Sequence, residues 1–150
     1  MDENQINVVL NNVPGYLGTF ALDELVNLKV RIFPSFLIIN LDLRKNSGTH
    51  WIAIAIYLND VFICDSLGTL VPNNRFPVEL INFLHIISYK KSIHITQQLQ
   101  SDYSSLCGQY ASYFINQMAK SNLYGKFLSN FSSNFILNDA VIEILYKSII

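Results

Sequence analysis

The apolar positions of the chain follow two periods, one typical of strands and one typical of helices. Residues 51–56 alternate isoleucine with alanine and predict a strand, and residues 61–64 predict a second strand joined to it by a short hairpin loop. Helical spacing is seen over residues 78–89 and again over residues 107–120. Strands clustered in the middle of the chain, with helices on either side, predict an α+β fold.

The remaining elements are predicted from the same periods and from turn-forming residues. Before the central strands we expect a frayed polar opening, a turn at 13–15, a short helix over 21–28, a strand over 36–43 and a loop at 46–48. The short helix would place Leu22, Leu25 and Val26 on one face. After the central strands we expect a turn between Pro72 and Pro77, a strand over 92–96, a polar loop over 97–106 and a last helix capped by Asn138 and Asp139.

Composition and charge narrow the class of protein. The chain has 150 residues, of which 51% are hydrophobic and 14% charged, which excludes intrinsic disorder and fits a single domain over 1–150. Mean hydropathy is +0.29, but the longest apolar run, residues 51–58, is far shorter than the ~20 residues that span a bilayer. The opening residues do not read as a signal peptide, and a net charge of −1 makes no case for binding a phosphate backbone. We expect a non-secreted, intracellular protein without a membrane partner.

Two cysteines, Cys64 and Cys107, are too few for a disulfide framework or a structural zinc site. Cys107 begins a predicted helix, where the helix dipole and unpaired N–H groups lower a thiol pKa and favour the reactive thiolate. Gly108 would let a substrate backbone come close. A cysteine in so apolar a chain is more often an inert core residue, so this feature alone is weak.

His50 and Asp65 are predicted to lie side by side. If the hairpin pairs Ile56 with Val61, paired residue numbers add to 117, Asp65 lies opposite Ile52, and His50 is its diagonal neighbour at roughly 7–8 Å between Cα atoms. A carboxylate beside an imidazole is the arrangement that orients a general base.

A side-chain amide precedes the cysteine in the predicted polar loop. Gln100 lies seven residues before Cys107 and could donate a hydrogen bond to an oxyanion together with the backbone N–H of Cys107. Gln97 and Gln98 lie in the same loop, and spacing alone does not choose among the three.

The order His50-Trp51, Asp65, Gln100, Cys107-Gly108 resembles that of adenovirus-type (adenain-like) cysteine proteases, whose clan includes SUMO-deconjugating proteases. The segment Tyr16-Leu17-Gly18-Thr19-Phe20 resembles an aromatic-Leu-Gly-Thr-aromatic segment at the same place in adenain. The resemblance covers about residues 13–120, and the last 30 residues match nothing in it.

The resemblance implies a fold, a set of roles and an origin. The fold is a central, mostly antiparallel sheet flanked by helices, with the nucleophile at the N-terminus of a central helix. Cys107 would be the nucleophile, His50 the general base, Asp65 the orienting acid and Gln100 an oxyanion-hole donor. The function would be cleavage of capsid or virion precursor proteins, after Gly or small residues, in a virophage or related small double-stranded DNA virus. The protein would then act in the virion and the infected cell.

Departures from the adenain pattern keep alternatives open. Asp65 stands where adenain has Glu and is nearer the SUMO-protease pattern, which favours a ubiquitin-like-protein deconjugating isopeptidase as the alternative. Adenain is activated by DNA and by a disulfide-linked peptide. The near-neutral charge and the position of Cys64 argue against both activators, so we expect no cofactor. Two further hypotheses are an effector-type acetyltransferase and a non-catalytic binding module.

Overall fold

Five strands form one sheet whose order in space follows the chain, β1-β2-β3-β4-β5. The computed structural model describes residues 1–46, 48–70, 76–121 and 124–150. The strands are β1 (Tyr16–Ala21), β2 (Ser35–Asn40), β3 (Trp51–Ile56), β4 (Asp60–Cys64) and β5 (Ser92–Ile95). The central pairs β2–β3 and β3–β4 are antiparallel, and the outer pairs β1–β2 and β4–β5 are parallel. The predicted α+β fold is confirmed, with a mixed sheet that is antiparallel at its centre.

Helices cover both faces of this sheet. They are α1 (Glu3–Leu10), a 3-10 helix (Leu22–Asn27), α2 (Val78–Ile87), α3 (Cys107–Ser121), α4 (Tyr124–Leu128) and α5 (Phe135–Lys147). None of the helices in the described ranges is long and apolar enough to cross a bilayer.

The alternation within β3 divides the interior into two cores. Ile52, Ile54 and Ile56 pack with α2 and the 3-10 helix on one face, whereas Ala53 and Ala55 face α3 on the other. Small side chains let a helix approach the sheet closely, so α3 lies against the centre of the sheet and the isoleucines fill the wider layer. This packing places α3 beside β3 and supports the site described below.

The N-terminal segment is a helix, so the prediction of a frayed opening was wrong. Asp2 Oδ1 accepts a hydrogen bond from the Gln5 N–H (2.8 Å), and Gln5 Oε1 accepts one from the Asp2 N–H (2.9 Å). This capping box satisfies donors that a helix start leaves unpaired. Ile6 and Leu10, one turn apart, are fully buried and anchor α1 in the core.

The predicted cap of the last helix was also wrong. Asn134 caps α5, because its side chain accepts a hydrogen bond from the Leu137 N–H at 3.0 Å. Asn138 and Asp139 therefore lie inside the helix, and both are buried.

The short helix predicted at 21–28 is a 3-10 helix. With three residues per turn, Leu22 and Leu25 share the buried face, and Val26 turns outward and is 84% exposed. The strand predicted over 36–43 ends at Asn40. Ser47 of the predicted loop and Pro72 of the predicted turn lie outside the described residues.

Candidate active site

The β3–β4 hairpin brings His50 and Asp65 together. The observed pairs run from Ala53–Cys64 to Ile56–Val61, which is the predicted register. Just beyond the paired segment, His50 Nε2 lies 2.6 Å from Asp65 Oδ1, and both side chains are buried. The two residues are therefore hydrogen-bonded partners, as the register predicts.

The carboxylate of Asp65 is held by the loop that follows it. Its second oxygen, Oδ2, accepts hydrogen bonds from the Leu70 N–H (2.8 Å) and the Thr69 hydroxyl (3.0 Å). The Thr96 hydroxyl accepts one from the Asp65 N–H at 2.9 Å. Burial raises the pKa of the Asp65 carboxyl, but these donors and His50 outweigh burial and bring the pKa below its usual value. Asp65 is thus an ionised anchor for the imidazole.

His50 is held as an imidazolium. Burial lowers the pKa of His50, but the hydrogen bond with Asp65 and the interaction with the Cys107 thiol raise it to about 9. Nε2 is occupied by Asp65, so Nδ1 is the nitrogen left for Cys107. This nitrogen is buried and makes no hydrogen bond of good geometry within the described part of the chain.

Cys107 is the first residue of α3 and is only 8% exposed. Burial raises the pKa of its thiol, but His50 and the backbone N–H groups of Trp51 and Gly108 lower it more, so the net pKa falls below the usual value. The second cysteine differs, because burial and the negative charge of Asp65 raise the pKa of Cys64. Both are free thiols, and only Cys107 is placed to ionise.

Gln100 lies between the segment that follows Asp65 and the segment that precedes Cys107. Its Oε1 accepts a hydrogen bond from the Ser66 hydroxyl (2.7 Å), and its Nε2 donates to the Ser104 carbonyl (2.8 Å). The side chain is fully buried and joins the segment after Asp65 to the segment before Cys107. One amide hydrogen is left for another acceptor. Its role at an oxyanion stays a prediction.

The other two glutamines of the loop are placed differently. Gln97 is exposed, and Gln98 Nε2 donates to the Gln100 carbonyl and to Asp102 Oδ1, both at 2.9 Å. Gln100 is the one of the three whose amide is fully buried.

The group that approaches Gly108 is Met1 of the same chain. A Cβ atom on Gly108 would lie 2.8 Å from Met1 Cβ, which is closer than such atoms come. The Trp51 indole N–H donates to the Met1 carbonyl at 3.1 Å. The glycine thus makes room for the N-terminal segment, whereas the sequence led us to expect a substrate backbone there.

Several supporting residues were not identified from the sequence. Ser66, Thr69 and Thr96 contact Gln100 or Asp65, and two of these contacts join residues more than 30 positions apart. No spacing rule connects such positions. Among the described residues, no group of three or more His, Cys, Asp or Glu side chains could hold a metal ion.

The arrangement can perform nucleophilic acyl transfer. A helix-start thiol with a lowered pKa, an imidazole beside it and an ionised carboxylate behind the imidazole are the parts that this chemistry needs. Backbone N–H groups of Trp51 and Gly108 point at the sulfur and stabilise negative charge there.

No family model and no curated protein matches the sequence. Among solved structures, the ASFV pS273R protease has a TM-score of 0.53 and 16% identity over 79% of this chain and 45% of its own. The central domain of the uncharacterized Lpg1148 protein from Legionella pneumophila has a TM-score of 0.54 and 9% identity, over 100% of this chain and 98% of its own. AvrA, solved with IP6 and CoA, has a TM-score of 0.54 and 11% identity, over 91% of this chain and 53% of its own. At these identities the likeness shows the shared fold.

We expect iodoacetamide near pH 6 to label Cys107 and not Cys64. The thiolate is the reactive form, and an ordinary thiol with a pKa of about 8.5 is almost fully protonated at this pH. His50→Ala should slow the labelling of Cys107, because the imidazolium that lowers its pKa is removed. Mass spectrometry of the alkylated peptides measures both rates. Equal labelling of the two cysteines in the folded protein would contradict the ion pair.

A second prediction concerns the link between His50 and Asp65. Asp65→Asn should lower the pKa of His50 from about 9 toward or below its usual 6.5, because the opposing charge is lost and burial remains. NMR titration of the imidazole measures the change. Asp60→Asn is the matched control, since Asp60 bonds the half-exposed His94 (2.9 Å) and should leave the titration of His50 unchanged. An unaltered His50 titration in Asp65→Asn would refute this assignment.

Proposed function

We propose that this chain is a cysteine endopeptidase that cleaves capsid and other virion precursor proteins after Gly or small residues. The observation that carries the catalytic part is the buried Asp65–His50–Cys107 arrangement, in which a carboxylate bonds one imidazole nitrogen at 2.6 Å and a helix-start thiol is left with the other. Such a set has little structural use, because three ionisable groups are taken from water at one place.

In the proposed first step, the Cys107 sulfur attacks the scissile carbonyl carbon and the carbonyl oxygen becomes an oxyanion. The backbone N–H of Cys107 and the free amide hydrogen of Gln100 are the donors proposed for that oxygen. His50 then gives its proton to the leaving amine as the C–N bond breaks, and a thioester on Cys107 remains. In the second step His50 takes a proton from water, the hydroxide attacks the thioester, and the acid product leaves with Cys107 restored as a thiolate.

The viral substrate is supported by the adenain-like part of the resemblance. Residues 16–20, which carry it, lie in β1 at the edge of the sheet, and a protease of ASFV is among the proteins that share the fold. The proposal includes an origin in a virophage or related virus, action in the virion and infected cell, and activity without a peptide or DNA activator.

Asp65 favours a second candidate, a ubiquitin-like-protein deconjugating isopeptidase. The same thioester would form on Cys107, with a lysine side-chain amine as the leaving group. The two candidates differ in the substrate that they cleave, so an assay that offers both kinds of substrate separates them.

The proposed function predicts that co-expression with neighbouring capsid genes yields new protein termini after Gly or small residues. Cys107→Ala should abolish these termini while the protein stays folded, because only the nucleophile is lost. Mass spectrometry identifies the termini, and circular dichroism checks the fold. Two parallel assays test the alternatives: a SUMO- or ubiquitin-fused reporter tests for an isopeptidase, and acetyl-CoA with an acceptor protein tests for an acetyltransferase. Cleavage of the fusion alone would favour the isopeptidase, and processing retained in Cys107→Ala would refute the nucleophile.

The role of Gln100 predicts a loss confined to catalysis. Gln100→Ala should lower the acylation rate by roughly 10²–10³, the usual loss for one oxyanion-hole donor, with little change in substrate binding. Gln97→Ala is the matched control, since Gln97 is exposed in the same loop and should stay near the unsubstituted protein. Gln98→Ala is a poorer control because Gln98 bonds the Gln100 carbonyl. A larger loss in Gln97→Ala would overturn the assignment.

A further inference from the structure

The C-terminal helix contacts the backbone on both sides of Gln100. Asn138 Nδ2 donates to the Leu99 carbonyl at 2.9 Å, and Asp139 Oδ2 accepts from the Ser101 N–H at 3.3 Å. Asn138 and Asp139 are adjacent in α5, and both are buried. Two neighbouring polar residues of α5 thus hold the residues directly before and after Gln100.

The same carboxylate also contacts the helix that carries the nucleophile. Asp139 Oδ1 accepts a hydrogen bond from the Tyr110 hydroxyl at 3.0 Å, and this hydroxyl lies 3.5 Å from the Leu99 carbonyl. Tyr110 is fully buried and lies three residues after Cys107 in α3. One buried polar network therefore joins α5, the Gln100 segment and the first turn of α3.

The segment is held from the opposite side by Ser66. The Ser66 carbonyl accepts hydrogen bonds from the Leu99 N–H (2.8 Å) and the Gln100 N–H (2.9 Å), and its hydroxyl donates to Gln100 Oε1. The Ser104 carbonyl, which can only accept, fixes which end of the Gln100 amide is the nitrogen. Residues 99–101 form no helix or strand. Polar contacts therefore hold them in position, and those with α5 and with the segment after Asp65 are among these contacts.

We propose that Asn138 and Asp139 are positioning residues that hold residues 99–101 so that the amide of Gln100 is presented to the oxyanion. This inference rests on the proposed function and assigns a role to the C-terminal residues that the resemblance does not cover. Burying an amide and a carboxylate side by side in an amphipathic helix is costly unless both are hydrogen-bonded. In α5 the bonds they make are directed at the Gln100 segment and at Tyr110, and Asn138 also bonds Ser132.

The test compares Asp139→Asn with Glu143→Gln, an acid-to-amide change at an exposed position one turn further along α5. An amide at 139 has one acceptor oxygen where the carboxylate has two, so the bonds from the Ser101 N–H and from the Tyr110 hydroxyl cannot both be kept as they stand, and neither is made to a charged group. On a peptide ending in Gly-Gly-aminomethylcoumarin, kcat should fall by up to about 10²-fold, as for small misplacements of a catalytic group, with KM little changed. Glu143→Gln should match the unsubstituted protein.

Two readouts separate positioning from a general loss of structure. Iodoacetamide labelling of Cys107 should keep its rate in Asp139→Asn, because the Cys107–His50 pair does not include α5. The double variant Gln100→Ala/Asp139→Asn should be no slower than Gln100→Ala, because a displaced amide and an absent amide have the same effect. Slower labelling, or additive losses in the double variant, would overturn the proposal.

Tyr110→Phe covers the case in which Asp139→Asn does not fold, since it keeps the buried ring and removes only the hydroxyl that bonds Asp139. It should lower kcat in the same direction by a smaller factor, and unchanged kcat would count against the network. Amide hydrogen exchange over 99–101 should also accelerate in Asp139→Asn. If the unsubstituted protein cuts no peptide, fusion or precursor, the proposed function fails. Faster amide exchange at 99–101 in Asp139→Asn would then still establish that α5 holds this segment, and unchanged exchange would refute it.

Discussion

The hydrogen bond between His50 Nε2 and Asp65 Oδ1, 2.6 Å long and buried, is the interaction on which the site depends. Burial alone would neutralise each partner, and each keeps the other charged. The bond also fixes the ring, because a nitrogen bound to Asp65 leaves only Nδ1 for Cys107. Without it the thiol would have neither an oriented base nor a cation to lower its pKa.

The rest of the fold places this bond and brings the thiol to it. The antiparallel β3–β4 hairpin puts His50 and Asp65 at the same end of the sheet. The alanines of β3 let α3 lie against the sheet, and the first residue of α3 is Cys107. The Cys107 thiol and the His50 imidazole therefore come from separate elements whose relative position is set by one packed layer.

Gln100 is positioned in a different way. It lies in a segment without regular structure, so its position comes from polar contacts with Ser66, Ser104 and the pair Asn138–Asp139. A buried segment of this kind is ordered only while its polar groups are paired. The C-terminal helix, which carries none of the residues of the resemblance, is thereby part of what holds the site.

Features that depend on local periodicity can be predicted from the sequence. Alternation over 51–56 and the short hairpin loop fix a register, and the register makes His50 and Asp65 neighbours. Helical spacing from residue 107 puts Cys107 at a helix start. The capping box of Asp2 and Gln5 is also a local feature, because it joins residues only three positions apart, and the prediction of a frayed opening overlooked it.

Contacts between groups of different elements, in contrast, become evident only in the folded chain. The contact of Met1 with Trp51 and Gly108, the support of Asp65 by Thr96, and the bonds of α5 to residues 99–101 join positions far apart in the chain. Periodicity shows which face of an element is buried, but it does not show what lies against that face. For that reason the sequence predicts Asn138 and Asp139 as a helix cap, whereas in the folded chain they are buried inside α5 against the Gln100 segment.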